Sequence, residues 1–146
     1  MVQPLCVHPA RAAAWPATCR STAYNGSETN PARKARDFVR WVLADDDQEL
    51  VETAQLLLSE LVANAEAHAG GPLDVTAHRR ETAVVFEVRD ADPRQPVLCP
   101  ADTDDEHGRG LALVNQLAAE WGSRPDPERG GKVVWVELPL QRSVDR

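Results

Sequence analysis

Cysteine, lysine and long apolar runs are all scarce in this 146-residue sequence, and the shortages of cysteine and of apolar runs each exclude a class of protein. The three cysteines, Cys6, Cys19 and Cys99, are odd in number, widely spaced and form no C-x-x-C pair. They fit neither a disulfide framework nor a zinc site, and they point to a reducing cytoplasm. No stretch approaches the roughly 20 apolar residues of a membrane-spanning helix, so no membrane association is expected. Arg11 and Pro16 fall where a secretory signal needs its apolar core, so no targeting segment is expected either. Positive charge is in deficit: 16 Lys+Arg face 23 Asp+Glu, a net charge of -7. That balance argues against direct nucleic-acid binding through a broad basic face. Only Lys34 and Lys132 are lysines; the dominance of arginine, with abundant alanine, reads as composition bias. No repeat or low-complexity tract is present. What is there, 42% hydrophobic and 27% charged residues over the length of one domain, describes a single globular core.

Residues 1–29 show no sustained period; Pro4, Pro9 and Pro16 interrupt them, although residues 17–23 are compatible with one short strand. Asn30 followed by Pro31 is a helix start, and Ala35, Phe38, Val39 and Val42 carry an amphipathic helix to about Leu43. Asp45, Asp46 and Asp47 break the chain and put negative charge at the next helix N-terminus, where the dipole favours it. That helix, Gln48 to Ala69, has the broadest apolar face: Leu50, Ala54, Leu57, Leu58, Leu61, Val62 and Ala65. Gly70-Gly71-Pro72 ends it. Leu73–Ala77 and Ala83–Arg89 read as strands joined by a turn at His78–Thr82. Asp90–His107 reads as a loop, Gly110 to about Trp121 as a third helix, Ser123–Gly131 as a turn region and Lys132–Leu138 as a last strand. The order implies an α/β fold with helices packed on one face of a mixed sheet.

Three constellations have chemistry in them. Glu60, Asn64 and His68 are four apart on the second helix and so stack along one side. Asn64 lies about 40° from Glu60 and Leu61 about 100° on the helical wheel, so the polar line borders the buried face. An asparagine there gains nothing from burial unless its amide is used, yet the spacing also suits a solvated stripe. Asp90 stands where a strand passes into a loop, a common place for a ligand contact, and Asp90-Ala91-Asp92-Pro93 is equally good turn chemistry. Gly108-Arg109-Gly110-Leu111 opens a helix; two glycines there let backbone N–H groups approach an anion, or simply make a loop-to-helix junction. The acidic run before it is no calcium loop, because counting from Asp102 puts His107 at the sixth position and Leu113 at the twelfth.

Taken in order, ELVANAEAH, VRDADP and GRGLALV, closed by Gly131-Lys132-Val133-Val134-Trp135, resemble the ATP-binding fold shared by gyrase B, Hsp90, sensor histidine kinases and MutL. Within that group the sequence is most similar to the small bacterial anti-sigma-factor serine/threonine kinases. The resemblance covers roughly residues 30–140. It divides the chain into an N-terminal irregular segment (1–29), a histidine-kinase-like ATP-binding domain (30–140) and a C-terminal tail (141–146). It implies a Bergerat-type two-layer α/β sandwich whose sheet is mixed and mostly antiparallel, with helices on one face.

The resemblance also implies the site. Glu60 would be the catalytic base that accepts the proton of an attacking hydroxyl. Asn64 would bind ATP through Mg2+, its amide oxygen being a hard ligand beside waters and phosphate oxygens. Asp90 would accept a hydrogen bond from the adenine amino group, and Gly108, Arg109, Gly110 and Leu111 would hold the phosphates under a lid at 97–107. His68 recurs in the family's motif without an assignable chemical role, and a helix-end position suits it as well. Asp92 and Arg94 stand where histidine kinases have glycines. Val133 stands where many relatives place a threonine that supports adenine through water, a loss of ~1 kcal/mol for one neutral hydrogen bond. An acidic lid would repel phosphates unless magnesium intervenes.

In function, the resemblance implies a cytoplasmic ATP-binding regulator that phosphorylates an antagonist protein and controls a sigma factor by partner switching. Dimerisation follows from the resemblance alone. There is no room in 146 residues for the phospho-acceptor domain of a sensor kinase or the transducer domain of gyrase B. The alternatives are a catalytically inactive, nucleotide-gated protein-binding module and a metabolic ATPase.

Overall fold

The computed structural model describes residues 18–24, 29–95, 114 and 116–140. They form β1 (Thr18–Ala23), α1 (Pro31–Val42), α2 (Gln48–Ala69), β2 (Pro72–Arg79), β3 (Ala83–Asp90), β4 (Glu120–Asp126) and β5 (Gly131–Pro139). Both helices start where local chemistry supplies an acceptor for otherwise unpaired N–H groups. The Asn30 side chain accepts from Arg33 N at 3.0 Å, and the Asp47 side chain accepts from Glu49 N at 3.0 Å. Asp46, next to that cap, takes a two-point fork from Arg79 at 2.6 and 2.9 Å, which ties the loop between the helices to the end of β2. The aspartate run thus divides its work between a cap and a tether. Helix α2 ends on Gly70 at φ 75, a left-handed cap that glycine adopts without a Cβ penalty.

The sheet has the order β1-β2-β3-β5-β4, and each of its four described pairings is antiparallel. Helices α1 and α2 pack on one face. Phe38 and Val39 from α1 and Leu57, Leu58, Leu61 and Val62 from α2 share one buried cluster with Val75, Val84, Phe86, Val88, Val134 and Val136 of the strands. Phe38 meets Phe86 edge-on, with ring centroids 6.3 Å apart. This is the α/β sandwich with helices on one face that the pattern implied.

The opposite face is held by charge. Glu87, 2% exposed, accepts from Arg124 at 2.8 Å and lies 2.7 Å from His78 Nε2, so one carboxylate on β3 links β2 to β4. Arg89 meets both Asp74 and Asp126, and Arg80 meets Glu137. Among the described residues no helix is long and apolar enough to cross a membrane.

Two sequence expectations change after residue 113. Only 114, 116 and 117 are helical among the described residues of the third helix, and Glu120 to Trp121 already belong to β4. The turn region expected at Ser123–Gly131 is mostly the rest of that strand, with a turn only at 127–130. Trp-Gly-Ser-Arg-Pro-Asp has poor strand propensity, and the pairing with β5 overrides it. Pro125 is tolerated because β4 is an edge strand. Gly122 is required because the Trp135 ring lies 2.9 Å from where a Cβ would stand.

Candidate functional site

The chain path brings the end of α2, Asp90 and Lys132 to one end of the sheet. Helix α2 turns through Gly70 and Gly71 into Pro72, and Pro72 pairs with Asp90, the last residue of β3. Asp90 in turn pairs with Lys132 near the start of β5. Asn64 lies five residues before the end of α2, about 7.5 Å along its axis, and Glu60 about 13.5 Å. Both are half-buried, beside the buried Leu61 and Ala65, whereas His68 in the last turn is exposed.

Asp90 is the focus of this end. Strand alternation puts it and Lys132 on the face that carries Val88 and Val134, the helix side. Asp90 is 2% and Lys132 3% exposed. Asp90 Oδ1 accepts from Lys132 Nζ at 3.0 Å and from Asp92 N at 2.9 Å. Lys132 Nζ also donates to the Asp92 carbonyl at 3.0 Å. Both bonds to the carboxylate therefore use one oxygen. The turn reading of Asp90 is what the bonds show: the turn consumes Oδ1 and leaves Oδ2 out of these bonds.

Gly131 makes the arrangement possible. A Cβ on it would stand 1.8 Å from the Asp90 carbonyl oxygen and 2.9 Å from Ala91 Cα. Only a residue without a side chain lets β5 approach the end of β3 so closely.

The turn continues outward. Asp92 accepts from Arg94 N at 2.9 Å, and the Arg94 guanidinium lies over the same carboxylate, at 2.7 Å from Oδ2. The Arg94 side chain, then its backbone N–H, holds the Asp92 carboxyl well below the usual carboxylate range. A carboxylate depressed in the folded chain contributes stability above its unfolded value of about 3.9, and that contribution is lost as pH falls through the lower folded value. Wild type and Asp92→Asn should therefore differ by a constant stability between about pH 5 and 8 and converge below about pH 4. Urea denaturation across pH checks this; a gap that widens in acid contradicts it.

Lys132 and Gly131 are the residues to which sequence reasoning gave no role. The one signal was a lysine in a chain whose basic residues are otherwise nearly all arginine. Val133 needs correcting. It pairs with Arg89, on the face away from the helices, and lines a cavity of about 290 Å³ with Arg89 and Arg124. It does not face Asp90, so its lack of a hydroxyl takes nothing from that residue; the position facing Asp90 is Lys132. Gly108, Arg109, Gly110 and Leu111, and the lid at 97–107, lie outside the described residues. Among the described residues no group of three or more His, Cys, Asp or Glu gathers to hold a metal.

Compared with models of protein families, the chain matches the histidine kinase-like ATPase domain over residues 27–138. That span includes both helices, β2 to β4, β5 as far as Leu138, and every candidate residue named above. Comparison with curated proteins returns no match.

Proposed function

The chain belongs to the family of histidine kinase-like ATPase domains, and from that premise we propose that it is an ATP-dependent protein serine/threonine kinase of anti-sigma-factor type. ATP binding is what the family implies. The finer reading is supported by one observation above all: a half-buried Glu60–Asn64 pair on α2, in a chain whose buried Asp90 keeps an oxygen out of its bonds to Lys132 and Asp92.

The residues present fit an adenine nucleotide. Asp90 Oδ2 accepts from the 6-amino group, a donor that guanine lacks. Gly108, Arg109, Gly110 and Leu111, outside the described residues, take the phosphates through backbone N–H groups. Asn64 would offer an amide oxygen to Mg2+, which when bound would supply neutralising charge to the phosphates. Glu60 accepts the proton as a serine or threonine hydroxyl attacks the γ-phosphorus; the new P–O bond forms in line as the bond to ADP breaks. The acceptor is an antagonist protein, and the output is a sigma factor held or released in the cytoplasm, by a monomer or a homodimer. A net charge of -7 favours protein partners over nucleic acid as the means of control.

Glu60→Gln is expected to lower phosphate transfer about a hundredfold or more while ATP binding is unchanged. Labelled ATP, magnesium and a candidate antagonist protein bearing the acceptor serine or threonine form the assay. Normal transfer by Glu60→Gln would remove the base role. No transfer by wild type, with ATP binding retained, would leave the inactive, nucleotide-gated binding module. That alternative drew on Val133 and on the glycines missing after Asp90; Val133 faces away from Asp90, whereas Asp92 and Arg94 in place of the glycines still favour it.

A further inference from the structure

We propose that Lys132 is a specificity-determining residue of the nucleotide site, reading N1 of adenine while Asp90 reads the 6-amino group. The inference rests on the adenine reading above and adds a second point of contact to it. A lysine ammonium has three protons and no acceptor. Two are committed, at 3.0 Å to Asp90 Oδ1 and at 3.0 Å to the Asp92 carbonyl. Those two bonds fix the ammonium beside the carboxylate, on the helix side of the sheet, and leave one proton over.

On the base, the 6-amino donor and the N1 acceptor are neighbours on one edge. A carboxylate oxygen next to an ammonium proton is the complement of that edge. Guanine presents the reverse order, an acceptor at position 6 and a donor at N1, so it would place like against like at both points. The burial of the pair also points to a site. An ion pair buried this far adds little stability over apolar residues of the same volume, and Asp90 and Lys132 are each 3% exposed at their side chains. A proton donated from an ammonium makes a charge-assisted bond, stronger than one from water or a hydroxyl.

The test is calorimetric titration of the full chain, with magnesium, using ATP and 1-deaza-ATP, which keeps the 6-amino group and lacks the N1 acceptor. Wild type should bind ATP about tenfold or more tightly than 1-deaza-ATP, the worth of one hydrogen bond to a charged group. In Lys132→Met that ratio should fall to about one, because no donor remains to reward N1. A merely structural lysine would lower both affinities and leave the ratio intact. Equal binding of the two nucleotides by wild type overturns the proposal, and that comparison needs no variant to fold. An unchanged ratio in Lys132→Met overturns it too. If wild type binds no adenine nucleotide, the ATP reading falls with it, whereas binding of ATP without N1 discrimination removes only this inference.

Discussion

Replacing Asp90 by alanine is expected to destabilise the fold by about 3–5 kcal/mol, the cost of leaving one member of a buried ion pair uncompensated. Lys132 is 3% exposed, and Asp90 is the carboxylate it contacts. In Asp90→Ala the ammonium keeps the Asp92 carbonyl but loses its counter-charge. For a domain whose whole stability is about 5–15 kcal/mol this is a large fraction. Urea denaturation at neutral pH measures it. The double change Asp90→Leu with Lys132→Met should recover most of the loss, since apolar replacement of a buried pair is often neutral or stabilising. ATP binding should be lost in both proteins. A single-variant cost below about 1 kcal/mol, the range of an exposed pair, would show that the pair is solvated in solution.

Gly131→Ala should be the second most damaging change. Its Cβ would stand 1.8 Å from the Asp90 oxygen, 2.8 Å from the Asp90 carbonyl carbon and 2.9 Å from Ala91 Cα. All three are backbone atoms, so no side chain can rotate away, and β5 must separate from β3. Overpacking of this kind typically costs about 1–3 kcal/mol, and an unyielding backbone places this case at about 3 or above. Gly130 provides the control. It sits at φ 79, and a Cβ there would have nothing within 4 Å. Gly130→Ala therefore meets only the left-handed backbone penalty of about 1–2 kcal/mol. The expected order is Gly131→Ala worse than Gly130→Ala, with ATP affinity reduced in the former because Asp90 moves with the strand. Equal costs would mean that the close approach at Asp90 relaxes without penalty.

What the sequence disclosed, and what it hid, follows the range of the interactions. The helices were legible because their signals are local. Asn30-Pro31, Asp47 and Gly70 each act within a few residues of themselves, and the apolar face of α2 repeats at helical spacing. Strands β2, β3 and β5 were legible from apolar runs, to within two residues at their ends. Strand β4 was not, because its residues favour turns and its partner lies beyond them in the chain. The site divides in the same way. Glu60 and Asn64 lie on one helix, so their common side follows from spacing. The Asp90–Lys132 pair spans 42 positions and depends on strand register, which composition and local pattern do not contain. Register also reversed the reading of Val133: a shift of one residue on a strand changes the face.

The central claim is that the sheet end at Asp90 selects adenine nucleotides, and calorimetric titration of the wild-type chain with ATP and with GTP, each with magnesium, tests it most directly. The expected result is binding of ATP with a preference over GTP of about tenfold or more, corresponding to at least one mismatched hydrogen bond at the base. Equal binding of the two nucleotides, or no binding of ATP, would contradict it.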